Sequence, residues 1–495
     1  MAARAVMVLG ATSGAGKSWL ATALCRWYAR QGLVVAPFKA QNMSNNARVV
    51  PADDGTAGEI GSAQYFQALA ARARPDVRMN PVLLKPEHDT ASQVVVLGTV
   101  RADLAAEPWR ARSERLWPYA REALHALLRE NELVVIEGAG SPAEINLTAS
   151  DYVNMRTARE ASAACLLVAD IDRGGAFAHL YGTHQLLPPA DRALIRGFVL
   201  NRFRGDARLL APGPEQLEHL TGVPTLAVLP MWREHGLPEE DGWFDDDRAG
   251  DGGRADDGAI QVAVVAFPRI SNLDELQPLR LCAGVRLRWA RTARALEGAD
   301  WIILPGSKHT SGDLAWVRQV GIDRAIRQHA ARGGQVLGLC GGLQMLGESL
   351  ADPYGVDGEA GGLGLLPLAT VFQPDKLLRH TRARFAGTTG GWSALADLSF
   401  DGYEIRHGRT TLVPDAAEGA AVALRNQAGE PIGWQRDNVL GLYTHGLFES
   451  PAVMTRLFGA QHRPLEAVFE GLADYIDGRF APGVLLALAR GGSDA

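Results

Sequence analysis

The sequence predicts an α/β fold with two doubly wound, mainly parallel sheets, one in each half of the chain. In the first half, short apolar runs alternate with helical patterns, as buried parallel strands joined by crossover helices require. These runs are Ala5–Leu9, Leu33–Pro37, Leu133–Ile136, Ala164–Ala169, Ile195–Leu200 and Thr225–Leu229. A fresh series begins at Ile260–Phe267 and continues with Trp301–Leu304 and Gln335–Leu339. We therefore expect two sheets, with ligands at the carboxyl ends of their strands.

An acidic, glycine-rich stretch separates the two series of strands. Residues 233–258 combine dense acids and glycines with few apolar residues, which is typical of a solvated connector. Each flanking segment is long enough to bury its own core. We predict a first domain over residues 1–232, a linker over 233–258 with the boundary near Gly250, and a second domain over 259–495.

The composition excludes several classes of partner. Hydrophobic residues make up 47% and charged residues 21% of the 495 residues, as in ordinary globular proteins. A net charge of −6 without a basic block argues against nucleic acid. The start of the chain runs directly into a strand, and no apolar run reaches the ~20 residues that span a bilayer. The four cysteines show neither metal-site spacing nor a disulfide framework. We expect a cytoplasmic protein without a membrane partner.

The first strand leads into a glycine-rich turn, after which Lys17 and Ser18 open a helical pattern. This strand–loop–helix order predicts a phosphate-binding loop, in which backbone N–H groups and the helix dipole bind phosphate oxygens. Lys17 is expected to neutralise the outer phosphates and Ser18 to hold Mg²⁺. Gly10 lies one position earlier than usual, with Ala11 in its place, so the loop is a variant form. The alternative is a glycine-rich turn that binds nothing.

Polar residues follow the other predicted strands of the first half. Glu137 is predicted as the second Mg²⁺ ligand, although a strand-end acid could instead cap a helix. Asn201 could bind an adenine edge or simply form a turn. Residues Asp170–Gly175 indicate either contact with phosphate or substrate, or an ion-paired turn. The predicted nucleotide-binding residues are Gly10, Thr12, Ser13, Gly14, Ala15, Gly16, Lys17, Ser18 and Asn201.

Another polar group follows the second predicted strand, where Lys39, Gln41 and Asn42 lie close together in the sequence. A lysine beside two amides at a strand end suits recognition of a carboxylate or a phosphate. An ordinary surface loop is an equal alternative. We take these three residues as candidates for contact with a substrate carboxylate.

In the second half, Cys340 follows an apolar strand and precedes two glycines and a helical pattern. This order predicts a nucleophile elbow, where a helix N-terminus favours the thiolate. His445 ends a later apolar run and is the predicted base; His407 is the rival. The backbone at Gly306 and Gly341 is predicted to form the oxyanion hole. A buried structural cysteine is the alternative interpretation.

Taken together, these motifs resemble glutamine-dependent amide synthetases. The loop at 10–18 with Glu137–Gly140 resembles the dethiobiotin synthetase group of P-loop enzymes. Leu339–Gln344 with Tyr443–His445 resembles the class I glutamine amidotransferase fold. Their order in one chain is similar to the cobyric acid synthase family of cobalamin biosynthesis. The longer motifs that carry this resemblance, over nearly the whole chain, are Pro37–Met43, Met79–Pro86, Glu137–Leu147, Asp170–Gly175, Arg269–Asn272, Leu304–Lys308 and Gly402–Ile405.

The resemblance implies an ATP- and Mg²⁺-dependent ligase that takes nitrogen from glutamine. The implied acceptor is adenosylcobyrinic acid a,c-diamide, amidated at its b, d, e and g carboxylates through acyl phosphates. Cobalt would arrive within this substrate. Lys39 and Lys85 are the residues that we expect to recognise its carboxylates. Class I amidotransferases usually carry a glutamate two residues after the histidine, but Leu447 stands there, so no acid is assigned to orient His445.

Two alternatives remain at this stage. One is a related amidase that acts on an earlier corrinoid or on a cell-wall carboxylate. The other is a regulatory P-loop ATPase whose second half only binds a ligand. The second alternative does not require a cysteine on a nucleophile elbow with a histidine partner, and this sequence has both.

Overall fold

The computed structural model describes residues 4–52, 55–88, 91–238, 258–414, 419–459 and 463–490. Most of the predicted linker, including its boundary near Gly250, lies outside these ranges. Just before that gap, Leu237 is buried in the core of the first half. The bounds that we gave to the two domains stay a prediction.

Twelve strands and eight helices are described in the first half. The strands are β1 (Arg4–Gly10), β2 (Val35–Phe38), β3 (Asn42–Met43), β4 (Ala47–Pro51), β5 (Ala57–Gly61), β6 (Val82–His88), β7 (Ala91–Val96), β8 (Thr99–Val100), β9 (Leu133–Glu137), β10 (Ala164–Asp170), β11 (Ile195–Phe203) and β12 (Thr225–Pro230). The helices are α1 (Lys17–Arg30), α2 (Ser62–Ala70), α3 (Ala102–Ala105), α4 (Trp109–Glu130), α5 (Thr157–Glu160), α6 (Ala176–Leu186), α7 (Pro189–Arg192) and α8 (Gly213–Thr221).

A six-stranded sheet forms the centre of this half, in the order β12-β11-β10-β1-β9-β2. All its neighbouring pairs are parallel. Buried apolar residues cover both of its faces, which explains why the strands read as continuous apolar runs. Each of the six predicted runs became one of these strands, so the predicted fold class is confirmed for this half. The small sheets β3-β6-β7-β8 and β4-β5 were not predicted.

Thirteen strands and seven helices are described in the rest of the chain. The strands are β13 (Ile260–Val265), β14 (Ile270–Ser271), β15 (Val285–Ala290), β16 (Trp301–Leu304), β17 (Gly306–Ser307), β18 (Gln335–Leu339), β19 (Ser349–Ala351), β20 (Ala360–Gly361), β21 (Leu368–Phe385), β22 (Ser399–Leu412), β23 (Ala420–Asn426), β24 (Pro431–Arg436) and β25 (Val439–Leu442). The helices are α9 (Gln277–Arg280), α10 (Thr310–Gln319), α11 (Ile322–Ala331), α12 (Gly341–Leu346), α13 (Pro451–Phe458), α14 (Leu465–Asp477) and α15 (Val484–Ala489).

The main sheet of the second half has a parallel part and an antiparallel part. Its parallel strands follow the order β15-β13-β16-β18-β25, and β24 and β23 continue the same sheet in antiparallel fashion. The strands β18 and β25 are direct neighbours, with Leu339 opposite Leu442. Their carboxyl ends therefore deliver Cys340 and His445 to one edge of the sheet, as predicted for ligand sites in such folds.

The last two helices return to the first half. In α14, Phe469 is buried in the same core as α1. Arg26 of α1 donates to Glu466 at 2.8 Å, and the Tyr28 hydroxyl donates to the Leu485 carbonyl at 2.7 Å. The sequence grouped residues 465–489 with the second domain, whereas their packing joins them to the first.

The helices that the structure describes include none that combines the length and the apolar character of a membrane span.

Candidate active sites

The loop between β1 and α1 has the geometry of a phosphate-binding loop. Gly14 and Gly16 adopt left-handed φ angles of 68° and 96°, which a side chain would strain. A Cβ atom at Gly10 would lie 2.8 Å from Lys17 Nζ, so the variant glycine leaves room for this side chain. Lys17 Nζ donates to the carbonyls of Thr12 at 3.3 Å and Gly140 at 3.1 Å. The lysine is thus held across the loop, where a phosphate chain would lie.

Glu137 is the centre of a buried polar cluster at the end of β9. Its Oε1 accepts hydrogen bonds from Ser18 Oγ and Lys39 Nζ, both at 2.8 Å, and Oε2 accepts one from Gln67 Nε2 at 2.6 Å. Burial alone would raise the pKa of this carboxyl. The Lys39 ammonium and these hydrogen bonds outweigh burial and lower the pKa below its ordinary value, so Glu137 is held as a carboxylate.

The donor set at this point fits Mg²⁺. A hydroxyl and a carboxylate oxygen, Ser18 Oγ and Glu137 Oε1, lie 2.8 Å apart beside Lys17. Magnesium prefers such hard oxygen ligands and usually takes one or two from protein, completing its shell with phosphates and water. Within the described ranges no three His, Cys, Asp or Glu side chains form a metal-binding group, so a site here would rely on those additional ligands.

A cavity of about 510 Å³ opens above this loop. The predicted site residues that line it are Ser13, Gly14, Gly16, Lys17, Ser18, Lys39, Gln41, Asn42, Glu137 and Asn201. Its lining also contains exposed apolar side chains: Met43, Trp109 and Leu147 are 54%, 36% and 41% exposed. The cavity therefore joins a buried charged floor to an apolar rim.

Asn201 and Arg173 lie against the loop itself. Asn201 Nδ2 donates to the Ala15 carbonyl at 2.9 Å, and its Oδ1 accepts from the Arg202 N–H at 2.9 Å. This side chain therefore holds the phosphate-binding loop in place, in addition to lining the cavity. A Cβ atom at Gly14 would lie 3.4 Å from the Arg173 guanidinium, so the Asp170–Gly175 segment brings an arginine to the loop.

Lys85 lies apart from the other carboxylate-binding candidates. Its ammonium is 2.8 Å from Glu59 Oε2, and Lys376 of the second half bonds the same carboxylate. Lys85 lines the smaller cavity that contains Cys340, whereas Lys39, Gln41 and Asn42 line the cavity of the phosphate-binding loop. The structure thus does not bring the four candidates into one group, because β6 carries Lys85 to the boundary between the halves.

Cys340 occupies a strained turn between β18 and α12. Its φ of 49° is rare for a residue with a side chain, and such strain is a property of the nucleophile elbow. A Cβ atom at Gly342 would collide with the Leu304 carbonyl, and one at Gly341 would lie 2.8 Å from the Ser307 nitrogen. The small residues around Cys340 are therefore required by the close approach of the β16–β17 backbone.

His445 is held between Cys340 and an acid that the sequence did not indicate. Its Nδ1 is 2.9 Å from Glu275 Oε1, and the other carboxylate oxygen accepts the N–H of Gly446 at 3.2 Å. Cys340 lines the same small cavity and is among the groups that raise the pKa of His445, while the Cys340 Sγ donates to the Ile405 carbonyl at 3.5 Å. Since Nδ1 faces Glu275, Nε2 is the nitrogen left for the thiol. This order of residues is the one expected of a Cys–His–Glu triad.

The charges around His445 favour its protonated form. Burial would lower the pKa of the ring, but the Glu275 carboxylate and the Cys340 side chain raise the pKa to about 10. At neutral pH the site therefore holds an imidazolium beside the sulfur. A cation next to a cysteine stabilises the reactive thiolate.

The rival base, His407, lies in the same cavity but has another partner. Its Nδ1 is 3.0 Å from the Gln373 carbonyl. Burial and the nearby Lys376 lower the pKa of His407 to about 4. The geometry therefore favours His445 as the partner of Cys340, in keeping with the preference derived from the strand context.

The predicted oxyanion-hole residues lie beside the triad. A Cβ atom at Gly306 would lie 3.3 Å from His445 Cε1, and Gly341 directly follows Cys340 at the start of α12. The cavity here, of about 80 Å³, is lined by charged groups of both signs, including Asp357, Lys308 and Arg406. Such a lining suits the α-ammonium and α-carboxylate groups of an amino acid.

Family models match both halves of the chain. Residues 6–237 match the CobQ/CobB/MinD/ParA nucleotide binding domain, and residues 261–453 match the CobB/CobQ-like glutamine amidotransferase domain. Among solved structures, a glutamine amidotransferase aligns with 43% of this chain and 98% of its own at 21% identity, with a TM-score of 0.30. A likeness of that size supports no functional argument.

Curated relatives align over nearly the full length of the chain. A cobyric acid synthase from Methylibium petroleiphilum is 72% identical over 98% of this chain and 97% of its own. Those from Leptothrix cholodnii and Variovorax paradoxus are 67% and 66% identical, over 98% and 99% of this chain and 97% and 100% of their own. With both family models in the same order, these similarities show that the chain belongs to the cobyric acid synthase family.

Proposed function

We propose that this protein converts adenosylcobyrinic acid a,c-diamide to adenosylcobyric acid by amidating the b, d, e and g carboxylates. Glutamine supplies the nitrogen, and ATP supplies the energy. One observation carries the proposal: a single chain holds a Cys–His–Glu triad and a phosphate-binding loop with a buried carboxylate cluster. Each site is chemically incomplete for amidation, because one releases ammonia and the other activates an acid.

At the triad, the Cys340 thiolate attacks the amide carbon of glutamine. Backbone N–H groups at Gly341 and near Gly306 stabilise the oxyanion that forms. His445 gives its proton to the departing ammonia and then takes one from the water that hydrolyses the glutamyl thioester. Glu275 keeps the ring oriented in both steps and stabilises its protonated form. The products are glutamate and ammonia.

At the phosphate-binding loop, a carboxylate oxygen of the acceptor attacks the γ-phosphorus of ATP, and ADP leaves. Ammonia then attacks the acyl carbon, and phosphate leaves. Lys17 offsets negative charge on the outer phosphates. Ser18 and Glu137 are the residues that would hold Mg²⁺, which supplies further charge neutralisation when bound. Lys39, which bonds Glu137 and lines this cavity, is the residue that we propose to bind the acceptor carboxylate beside the γ-phosphate.

The apolar rim of the larger cavity suits a corrinoid acceptor. Soluble monomers seldom expose large apolar side chains together, and such patches often mark binding sites. Met43, Trp109 and Leu147 could contact the face of a macrocycle while its carboxylates reach the polar floor. Lys39, Gln41 and Asn42 are the floor residues that we propose for carboxylate contact. Lys85 is not included among them, because it lines the cavity of Cys340 and pairs with Glu59 there.

One short segment connects the two cavities. Asn42 and Met43 line the cavity of the phosphate-binding loop, whereas Asn45 lines the cavity of Cys340. Asn45 Oδ1 is buried and has no hydrogen-bond partner. A free acceptor of this kind can bind an N–H of ammonia. This supports delivery of ammonia along residues 42–45, sheltered from water that would protonate it.

The proposal is tested by counting amidations. Purified protein is incubated with ATP, Mg²⁺, glutamine and either adenosylcobyrinic acid a,c-diamide, an earlier corrinoid or a cell-wall carboxylate. We expect mass spectrometry to find four new amides on the a,c-diamide, with ATP and glutamine consumed in step. Preferential amidation of another acceptor would contradict the substrate assignment. ATP hydrolysis without any amide would favour a regulatory ATPase. A cytoplasmic location stays a prediction.

A further inference from the structure

The turn that carries the triad acid is held by the first half of the chain. Glu275 lies on a single 3₁₀ turn before α9. The N–H of Leu273 in this turn donates to Asn46 Oδ1 at 2.9 Å. Directly before it, Asn272 Nδ2 donates to the Ala47 carbonyl at 3.2 Å. The position of Glu275 therefore depends on residues that lie more than two hundred positions earlier in the chain.

Arg48 connects this turn to the turn that follows His445. Its Nε donates to Asp274 Oδ2 at 2.8 Å, directly before Glu275 in the sequence. Its Nη2 donates to Glu449 Oε1 at 2.6 Å, four residues beyond His445. One planar guanidinium thus bonds two carboxylates, one on each side of the Glu275–His445 hydrogen bond. The fixed fork of arginine suits such a double contact, whereas lysine offers a single point charge.

Arg48 is buried among aromatic rings. Its side chain is 3% exposed, and its guanidinium lies 5.1 Å from the Phe66 ring and 5.0 Å from the Tyr403 ring. Tyr403 also contacts the proposed base, because its ring stacks on His445 with 5.2 Å between the ring centroids. A change at Arg48 therefore reaches His445 both through the two turns and through the tyrosine.

We propose that Arg48 is a positioning residue for glutamine hydrolysis, through which the first half of the chain fixes the distance between Glu275 and His445. It touches neither glutamine nor Cys340; it sets the geometry of the residues that do. The inference rests on the proposed function, since it assigns Arg48 to the glutaminase site. The release of nitrogen then requires that the two halves are docked. A second half without the first would therefore hydrolyse little glutamine.

The test compares Arg48→Lys and Arg48→Met with Arg26→Met. Arg26 is a matched control, because it too is a buried arginine that bonds two carboxylates, Glu466 and Glu470. It lies on α1 and has no contact with the triad. The assays are glutamine hydrolysis across pH and amide formation with ammonium as the nitrogen source. The ammonium assay reports whether the first half is still folded.

We expect Arg48→Lys to lower kcat for glutamine about tenfold or more, with KM for glutamine little changed. The alkaline limb of the pH profile should move to lower pH. The reason is that a displaced Glu275 carboxylate would raise the pKa of His445 less. Amide formation from ammonium should stay within about twofold of the wild type. Arg48→Met should show a larger loss of the same kind, and Arg26→Met an unshifted profile.

An unchanged kcat and pH profile in both Arg48 variants would overturn the inference. So would an equal loss of the ammonium- and glutamine-dependent activities in Arg48→Lys, because that pattern indicates a structural role alone. Failure of the proposed function is distinguishable, since the wild-type protein itself would then lack glutamine hydrolysis or amide formation.

Discussion

At the residue scale, the Glu275–His445 pair is the feature on which the proposed nitrogen release depends. A buried imidazole would ordinarily be neutral at pH 7, but here the neighbouring carboxylate and sulfur raise its pKa to about 10. Because the pKa is raised in the folded protein, the charged ring contributes to the free energy of unfolding. This contribution is complete below the pKa of about 6.5 that the ring has in the unfolded chain, and it is lost as the pH rises through about 10. The imidazolium form of His445 should therefore persist through the neutral range.

The Glu275→Gln variant tests this electrostatic role. Glutamine fills the same space but removes the negative charge, so burial is left to lower the pKa of His445. We expect kcat for glutamine hydrolysis to fall about 100-fold and its alkaline limb to move to lower pH. Glu297→Gln, on the exposed surface, is the control. A wild-type pH profile in Glu275→Gln would contradict the assigned role of this residue.

Glu275 also shows why the site could be predicted from the sequence only in part. Cys340, Lys17 and Ser18 could be predicted because local order marks them: a strand, then small residues, then a helix. His445 could be predicted from its place at the end of an apolar run. Glu275 has no such local signal, since it is 170 positions from His445 and lies on a short turn. The family pattern expects this acid two residues after the histidine. In this chain that position is Leu447, which is fully buried and apolar.

At the scale of elements, α2 supports both sites at once. Ser62, at its start, donates to Asp274 Oδ1 at 3.3 Å, beside the triad acid. Gln67, further along the same helix, donates to Glu137, the residue that we propose as a Mg²⁺ ligand beside the phosphate-binding loop. A helix of 9 residues is stiff, so its two contacts fix the sites relative to each other. The sequence did not indicate this, because α2 has no motif of its own.

The element pair α1–α14 bears on the stability of the phosphate-binding loop. Phe469 of α14 is 1% exposed and packs in the core that contains α1, which begins at Lys17. We expect Phe469→Ala to destabilise the protein by about 3–5 kcal/mol and to lower its thermal midpoint and ATP affinity. Leu209→Ala removes an 83% exposed apolar side chain and is the control. A midpoint as high as that of the control would show that α14 does not support α1.

At the scale of the whole molecule, strand-end positions explain both sites. The six-stranded sheet presents the phosphate-binding loop, Glu137 and Asn201 at the carboxyl ends of its strands, and the second sheet presents Cys340 and His445 in the same way. This much followed from the sequence, because apolar runs and strand ends are local features. The position of one site relative to the other could not be predicted, since it depends on small sheets and on single ion pairs such as Arg48–Asp274.

The contacts between the halves give a physical reason for fusing two enzymes into one chain. Lys85 and Lys376 share Glu59, and Lys308 pairs with Glu87 at 2.7 Å, all beside the cavity of Cys340. These ion pairs hold the halves together at the cavity where we propose that ammonia is released. Free ammonia would be protonated in water at neutral pH and lost as a nucleophile. A closed boundary between the halves therefore favours its transfer.

The central claim is that one site releases nitrogen and the other activates the acid. The most direct measurement is amide formation on adenosylcobyrinic acid a,c-diamide by Cys340→Ala, supplied with ATP and either glutamine or ammonium, beside Lys17→Ala as the complementary variant. The account predicts that Cys340→Ala forms amide from ammonium at a near wild-type rate and none from glutamine, whereas Lys17→Ala forms amide from neither. Equal loss of both activities in Cys340→Ala would contradict it.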